Sequence, residues 1–166
     1  MRIIIVGLTI LLISGFSCKK EAIEISGYTK TDSMGNIMGS VDPTDWTHDT
    51  KWTDLEMSVF NTIGIEPLAG TTAGLISMTT AFPNPCTNYF GIGIQSSTRC
   101  VIRMGLVDED LSTKWSHYQY IDVGVNYINI APDPSKIGRG LYRLYYAFEA
   151  FDQSMFYKGH GDVMFQ

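Results

Sequence analysis

The chain has 166 residues, of which 45% are hydrophobic and 17% charged, with a formal net charge of −5. That balance argues for a packed core and against disorder, and with no basic block beyond Lys19-Lys20 it excludes nucleic acid as a partner. Length predicts one domain with a small extra element, and an aromatic content of 12% suits β-structure.

Residues 1–17 stand apart from the rest. Arg2 gives a short positive start, and Ile3 to Ile13 form an apolar run too short to cross a bilayer core of about 30 Å as a helix. Ser14-Gly15-Phe16-Ser17 then lead to Cys18. Small residues before a cysteine, after such a run, resemble a bacterial lipoprotein signal. The resemblance implies cleavage before Cys18 and lipidation of that residue, and so a membrane partner reached through a lipid anchor. An ordinary secretory leader with a chance cysteine is the alternative. Buried acyl chains contribute about 0.8 kcal/mol per CH₂, so several on one residue hold a protein at a membrane without a spanning helix.

Residues 18–40 are polar and glycine-bearing and predict a tether, with one short strand or hairpin near Met34-Gly35-Asn36. Residues 41–73 predict a short helix-containing segment packed on the domain. Asp42-Pro43 and Asp45 mark a turn, and Thr53 with Glu56 makes a capping box. Trp52, Leu55, Val59 and Phe60 share a face at helical spacing, placing one helix at 53–61, with Trp46 and Trp52 packing it down.

From residue 74 to 166 the period becomes two. Phe90, Ile92 and Ile94 share one face; so do Cys100, Ile102, Met104 and Leu106; so do Tyr142, Leu144, Tyr146 and Phe148. Ser96-Ser97-Thr98 has hairpin length, and strands recur every ten to fifteen residues with turn residues between. This predicts an all-β fold, an antiparallel β-sandwich with one short N-terminal helix. In AFPNPC, residues 81–86, two prolines around Asn84 force a bend that belongs to neither helix nor sheet. Phe82 and Cys86 are then free to drop into the core on either side of it. An exported chain permits a Cys86–Cys100 disulfide; their apolar settings equally fit two buried thiols.

AFPNPCTNYFGIGI, with the later GVNYINIAP and IGRGLYRLYY, resembles the type IX secretion C-terminal sorting domain of Bacteroidetes. The likeness covers about residues 75–166 and implies an immunoglobulin-like β-sandwich. Cys86 stands where that family has a large apolar residue. VDEDLSTK replaces its usual Asp-x-x-Gly turn, and the C-terminal YKGHGDVMFQ lacks its basic residues. DPTDWT, residues 42–47, followed by Trp52, Glu56 and Phe60, together with a sandwich ending in FYKGHGDV, residues 156–163, resembles a group of small Bacteroidetes lipoproteins that reuse the same sandwich.

No metal or cofactor signature is present in the sequence. His48, His117 and His160 form no HExxH, and no cysteine pair has zinc spacing. GHGD, residues 159–162, reads as a bulge or turn before the strand DVMF rather than a catalytic His-Asp pair. Asp108-Glu109-Asp110 reads as a solvated turn rather than a calcium loop. If Tyr142 to Phe148 alternate into the core, Arg143 and Tyr145 face outward, and Arg99, Arg103, Tyr127 and Asn129 do likewise. Arg99, Arg103, Tyr127, Arg143 and Tyr145 therefore form a candidate surface for an envelope protein or a glycan. The same pattern also fits a solvated sheet whose arginine stems cover tyrosine rings. The functional expectation is a non-enzymatic, lipid-anchored binding or structural module of the cell envelope, in the outer membrane. The alternatives are a secreted cargo whose sandwich is its sorting domain, and a glycan hydrolase using a pair such as Glu149 and Asp152.

Overall fold

The computed structural model describes residues 22–61, 63, 64 and 68–166; the expected leader and Cys18 lie outside the described residues. Among the described residues, the strands are β1 Thr47–His48, β2 Ile76–Met78, β3 Phe90–Ser96, β4 Cys100–Val107, β5 Thr113–Ile121, β6 Gly124–Ile130, β7 Gly140–Glu149 and β8 Met155–Phe165. They form two antiparallel sheets, β1-β8-β7-β4-β5 and β2-β3-β6. This is the expected all-β, immunoglobulin-like sandwich. Its one short helix, α1, spans Asp54–Met57 and runs on as a 3-10 turn over Ser58–Phe60.

The core lies where the period-two sets meet. Phe90, Ile92 and Ile94 face Cys100, Ile102, Met104 and Leu106 of the other sheet, with Leu144, Tyr146 and Phe148 beside them. All of these are essentially removed from water, each apolar side chain contributing about 1.5–3 kcal/mol of transfer free energy. The link at 96–98 is not a hairpin, however. β3 pairs with β2 and β6, while β4 pairs with β5 and β7, so the chain crosses there from one sheet to the other. Ser96 makes the corner by donating its hydroxyl to the Thr98 carbonyl at 2.7 Å and accepting the Thr98 N–H at 3.3 Å.

The outer face of the larger sheet is covered. Residues 42–60 form a strap across β4, β7 and β8. Thr53 and Glu56 make the expected capping box. Val59 and Phe60 are buried against Val107, Tyr145 and Ala147, whereas Leu55, expected on the packed face, is exposed, and so is Met57. Trp52 stacks on Phe60, centroids 5.4 Å apart, and meets Tyr145 edge-on at 5.3 Å. A β-carbon at Gly105 would fall on Val59, so only glycine lets the strap sit this low.

GHGD is not a turn. It lies inside β8, with Gly159 and Gly161 opposite Tyr146 and Leu144. The glycines admit the Thr47 carbonyl and the Trp46 indole, which close approach explains better than a bend.

Residues 22–40 do not stand clear as a tether. Thr29 and Thr31 are buried, and Ile23 donates its N–H to the Glu109 carbonyl at 2.8 Å. The expected hairpin is present as a Thr31–Ile37 bridge, and Thr31 also bridges Asn84.

In AFPNPC both the Phe82–Pro83 and Asn84–Pro85 bonds are cis. Asn84 is the centre of the motif. Its amide nitrogen donates to the Thr29 and Asp162 carbonyls at 3.1 and 2.9 Å, and its side-chain oxygen accepts the Met164 N–H at 3.0 Å. Cys86 enters the core as expected. Phe82 does not; it is half-buried on the outer side of β3, against Gly91 and Gly35.

Candidate binding surface

Of the five residues expected to share one exposed surface, three are largely covered, Tyr145 by the strap and Arg143 and Arg103 by partners on neighbouring segments. Arg143 makes a two-pronged pair with Asp162, Nε–Oδ1 2.7 Å and Nη2–Oδ2 2.8 Å, and reaches the Glu24 carbonyl at 3.2 Å. Two N–H donors meeting two carboxylate oxygens is the strongest geometry open to such a pair. Burial works against the Arg143 charge, but Asp162 holds it protonated well above the ordinary arginine value. Tyr145 is fully buried and donates its hydroxyl to Glu56 Oε1 at 2.8 Å. Burial, reinforced by Glu56, pushes its phenol up. Arg103 holds Glu149 at 2.8 Å and donates to the Ile63 carbonyl at 3.1 Å. Burial raises the Glu149 carboxyl, and the guanidinium opposes that rise. Alternation placed these three on the outer face correctly, but the strap and the segments at residues 24 and 63 cover much of that face.

The other two are exposed and far apart in the topology. Arg99 pairs with Asp122 at 3.2 Å where β5 turns into β6. Tyr127 lies 70% exposed on the outer face of the smaller sheet, beside Gly93, and Asn129 shares its face there. No single surface unites the five.

The strap carries further fasteners. His160 Nδ1 lies 2.7 Å from Asp49 Oδ2, which also accepts the Trp52 indole N–H at 2.7 Å. Burial pushes Asp49 up, but these two bonds outweigh it and leave its carboxyl below the usual range. Lys158 stands over Trp52 at 5.1 Å. Asp45 accepts the backbone N–H groups of Thr29 and Asp162. Burial nevertheless pushes its carboxyl up to about 6, with the Asp162 charge adding to the rise. His160 therefore partners Asp49, not Asp162, and both serve the strap.

The remaining sequence candidates also have structural partners. Cys86 and Cys100 are free and buried, so the disulfide does not form; burial raises both thiols to about 11. Glu149 is paired with Arg103, and the Asp152 carboxylate accepts the Ser154 N–H and hydroxyl. Asp108 binds Lys114 at 2.7 Å and accepts the Asp110 and Ser112 N–H groups, closing the β4–β5 hairpin.

The structure reveals one surface the alternation argument passed over. Among the described residues β5 ends the larger sheet. Along it run Trp115, His117, Tyr118 and Tyr120. Successive ring centroids are 5.7, 6.1 and 6.3 Å apart, and the first three planes are within 34° and 16° of one another. Trp115 packs partly on the core; the other three rings are exposed. At the Trp115 end lies a cleft of about 310 Å³ lined by Thr113, Lys114, Trp115, Ser116, Asp133 and Lys136. The signal was legible as four aromatics within WSHYQY, residues 115–120, but which strand would end the sheet was not.

No protein-family model matches the chain, and no curated protein matches it.

Proposed function

We propose that this protein is a non-enzymatic binding or structural module of the bacterial cell envelope, held at the outer membrane by lipid on Cys18. The observation that carries the anchor is the apolar run Ile3 to Ile13 closed by Ser14-Gly15-Phe16-Ser17-Cys18. The module reading is supported by how the buried ionic groups are used. Arg103, Arg143, Tyr145 and His160 are each committed to a carboxylate, so each of these polar groups already has a partner within the fold.

Metabolic labelling with an alkyne palmitate analogue tests the anchor. The wild-type chain is expected to carry label and sediment with membranes, and Cys18→Ser to lose both. Label that survives Cys18→Ser refutes the assignment. The cargo alternative rests on the likeness of AFPNPC and GVNYINIAP to the sorting domain. It predicts that deleting residues 75–166 strands the chain in the periplasm, whereas a self-anchored lipoprotein keeps its membrane.

A further inference from the structure

We infer that the aromatic rim of β5 is a binding platform for a neutral polysaccharide chain, a deepening that rests on the binding-module reading above. His117 and Tyr118 are neighbours in the strand, so their side chains leave opposite faces of the pleat. By register His117 lies opposite Met104 and Tyr118 opposite Arg103. Their rings are nevertheless only 6.1 Å apart with planes 16° from parallel. Rings from the two faces therefore meet along β5, the last strand of the larger sheet among the described residues. That arrangement presents exposed ring surface at the end of the sheet.

The chemistry of the rim selects the ligand. An aromatic face is the negative side of the ring quadrupole, and it attracts the polarised C–H groups on the apolar face of a sugar ring. Trp115 to Tyr118 spans roughly 10 Å at about 3.4 Å per residue, room for about two sugar units in a row. The adjoining cleft supplies hydroxyls from Thr113 and Ser116, the Lys136 ammonium and the Asp133 carboxylate, a mixture of donors and acceptors suited to sugar hydroxyls. Asp133 Oδ1 already accepts from Ser135, which holds the carboxylate in place. Beside the strand Asp122 is paired with Arg99 and Lys114 with Asp108, and Lys136 shares the cleft with Asp133. The charges at the rim therefore balance and none is left over to draw an ionic ligand, while the −5 carried by the whole chain disfavours an anionic polymer or an acidic bilayer at long range. A neutral, polyhydroxylated chain satisfies both the rings and the charge.

The test is affinity electrophoresis of the full chain in mild detergent through gels containing mixed-linkage β-glucan, galactomannan, dextran or polygalacturonate. At least one of the three neutral polymers is expected to retard the protein. His117→Ala and Tyr118→Ala, both surface changes, are expected to weaken that retardation about tenfold each, and Tyr127→Ala on the other sheet to leave it unchanged. Trp115→Ala adds loss of core contact, so its result is read alongside its thermal midpoint. Migration unaffected by all three neutral polymers overturns the inference. So does retardation by polygalacturonate alone, or retardation that both rim variants retain. A chain that takes the palmitate label yet runs unretarded overturns the platform alone; a retarded chain without label overturns the anchor alone.

Discussion

Gly161 of β8 lies beneath the indole of Trp46, so close that a β-carbon there would fall inside the ring system. Trp46 in turn stacks on Tyr146, planes 11° apart. The strap is thus seated in the sheet at a point where one strand gives up its side chain. Gly161→Ala should destabilise the fold by about 1–3 kcal/mol through overpacking. In a Trp46→Ala background the added methyl has room, and the same change should cost less than about 1 kcal/mol. Urea denaturation of the four species measures this. Additive costs would show that the two residues do not meet.

Asn84 joins its own bend to two parts of the chain distant in sequence, Thr29 and the β8 residues Asp162 and Met164. Asn84→Ala leaves two carbonyls and one N–H of this buried site without partners, at about 1–3 kcal/mol each if water does not enter. Asn84→Asp keeps an acceptor for Met164 but turns a second oxygen toward the Thr29 and Asp162 carbonyls. Its stability should therefore rise as pH falls and the new carboxyl gains a proton to donate. A variant equally stable at pH 7 and pH 4.5, relative to wild type, would contradict this.

Asp45 should titrate near pH 6 in the folded chain, against an ordinary value of 3.8. A raised carboxyl holds its proton more tightly when folded than when unfolded. Its contribution to stability is therefore fully present below about 3.8 and is lost as pH rises through about 6. The size is about 3 kcal/mol at 1.36 kcal/mol per unit. The ¹³C shift of the Asp45 carboxyl carbon reports the midpoint directly, and a midpoint below 4.5 would remove the effect.

Cys86 and Cys100 should be silent toward thiol reagents in the native protein, since burial both raises their thiols to about 11 and blocks access. Iodoacetamide at pH 8 is expected to leave both unmodified in the folded chain and to alkylate both in guanidinium. Two cysteines that stay unmodified after unfolding, until a reductant is added, would reveal a disulfide.

The sequence by itself determined the strands after residue 74, the inner faces of β3, β4 and β7, and the single capped helix, but not β1. Those depend on local repetition: Ile92 beside Ile94, Ile102 beside Met104, Thr53 three residues before Glu56. It also marked AFPNPC as a bend, because proline constrains its own neighbours. Only the tertiary structure decided which outer faces meet water. Arg143 and Tyr145 alternate as surface residues do, yet the strap and the segment at residue 24 cover much of their face. Gly105, Gly159 and Gly161 record that covering, but a lone glycine in a strand does not say what approaches it. The partners of Asn84 and the free edge at β5 were hidden for the same reason. Period-two alternation assigns a side chain to a face of its own sheet; which segment later covers that face, or leaves an edge bare, is settled by contacts between residues far apart in the chain.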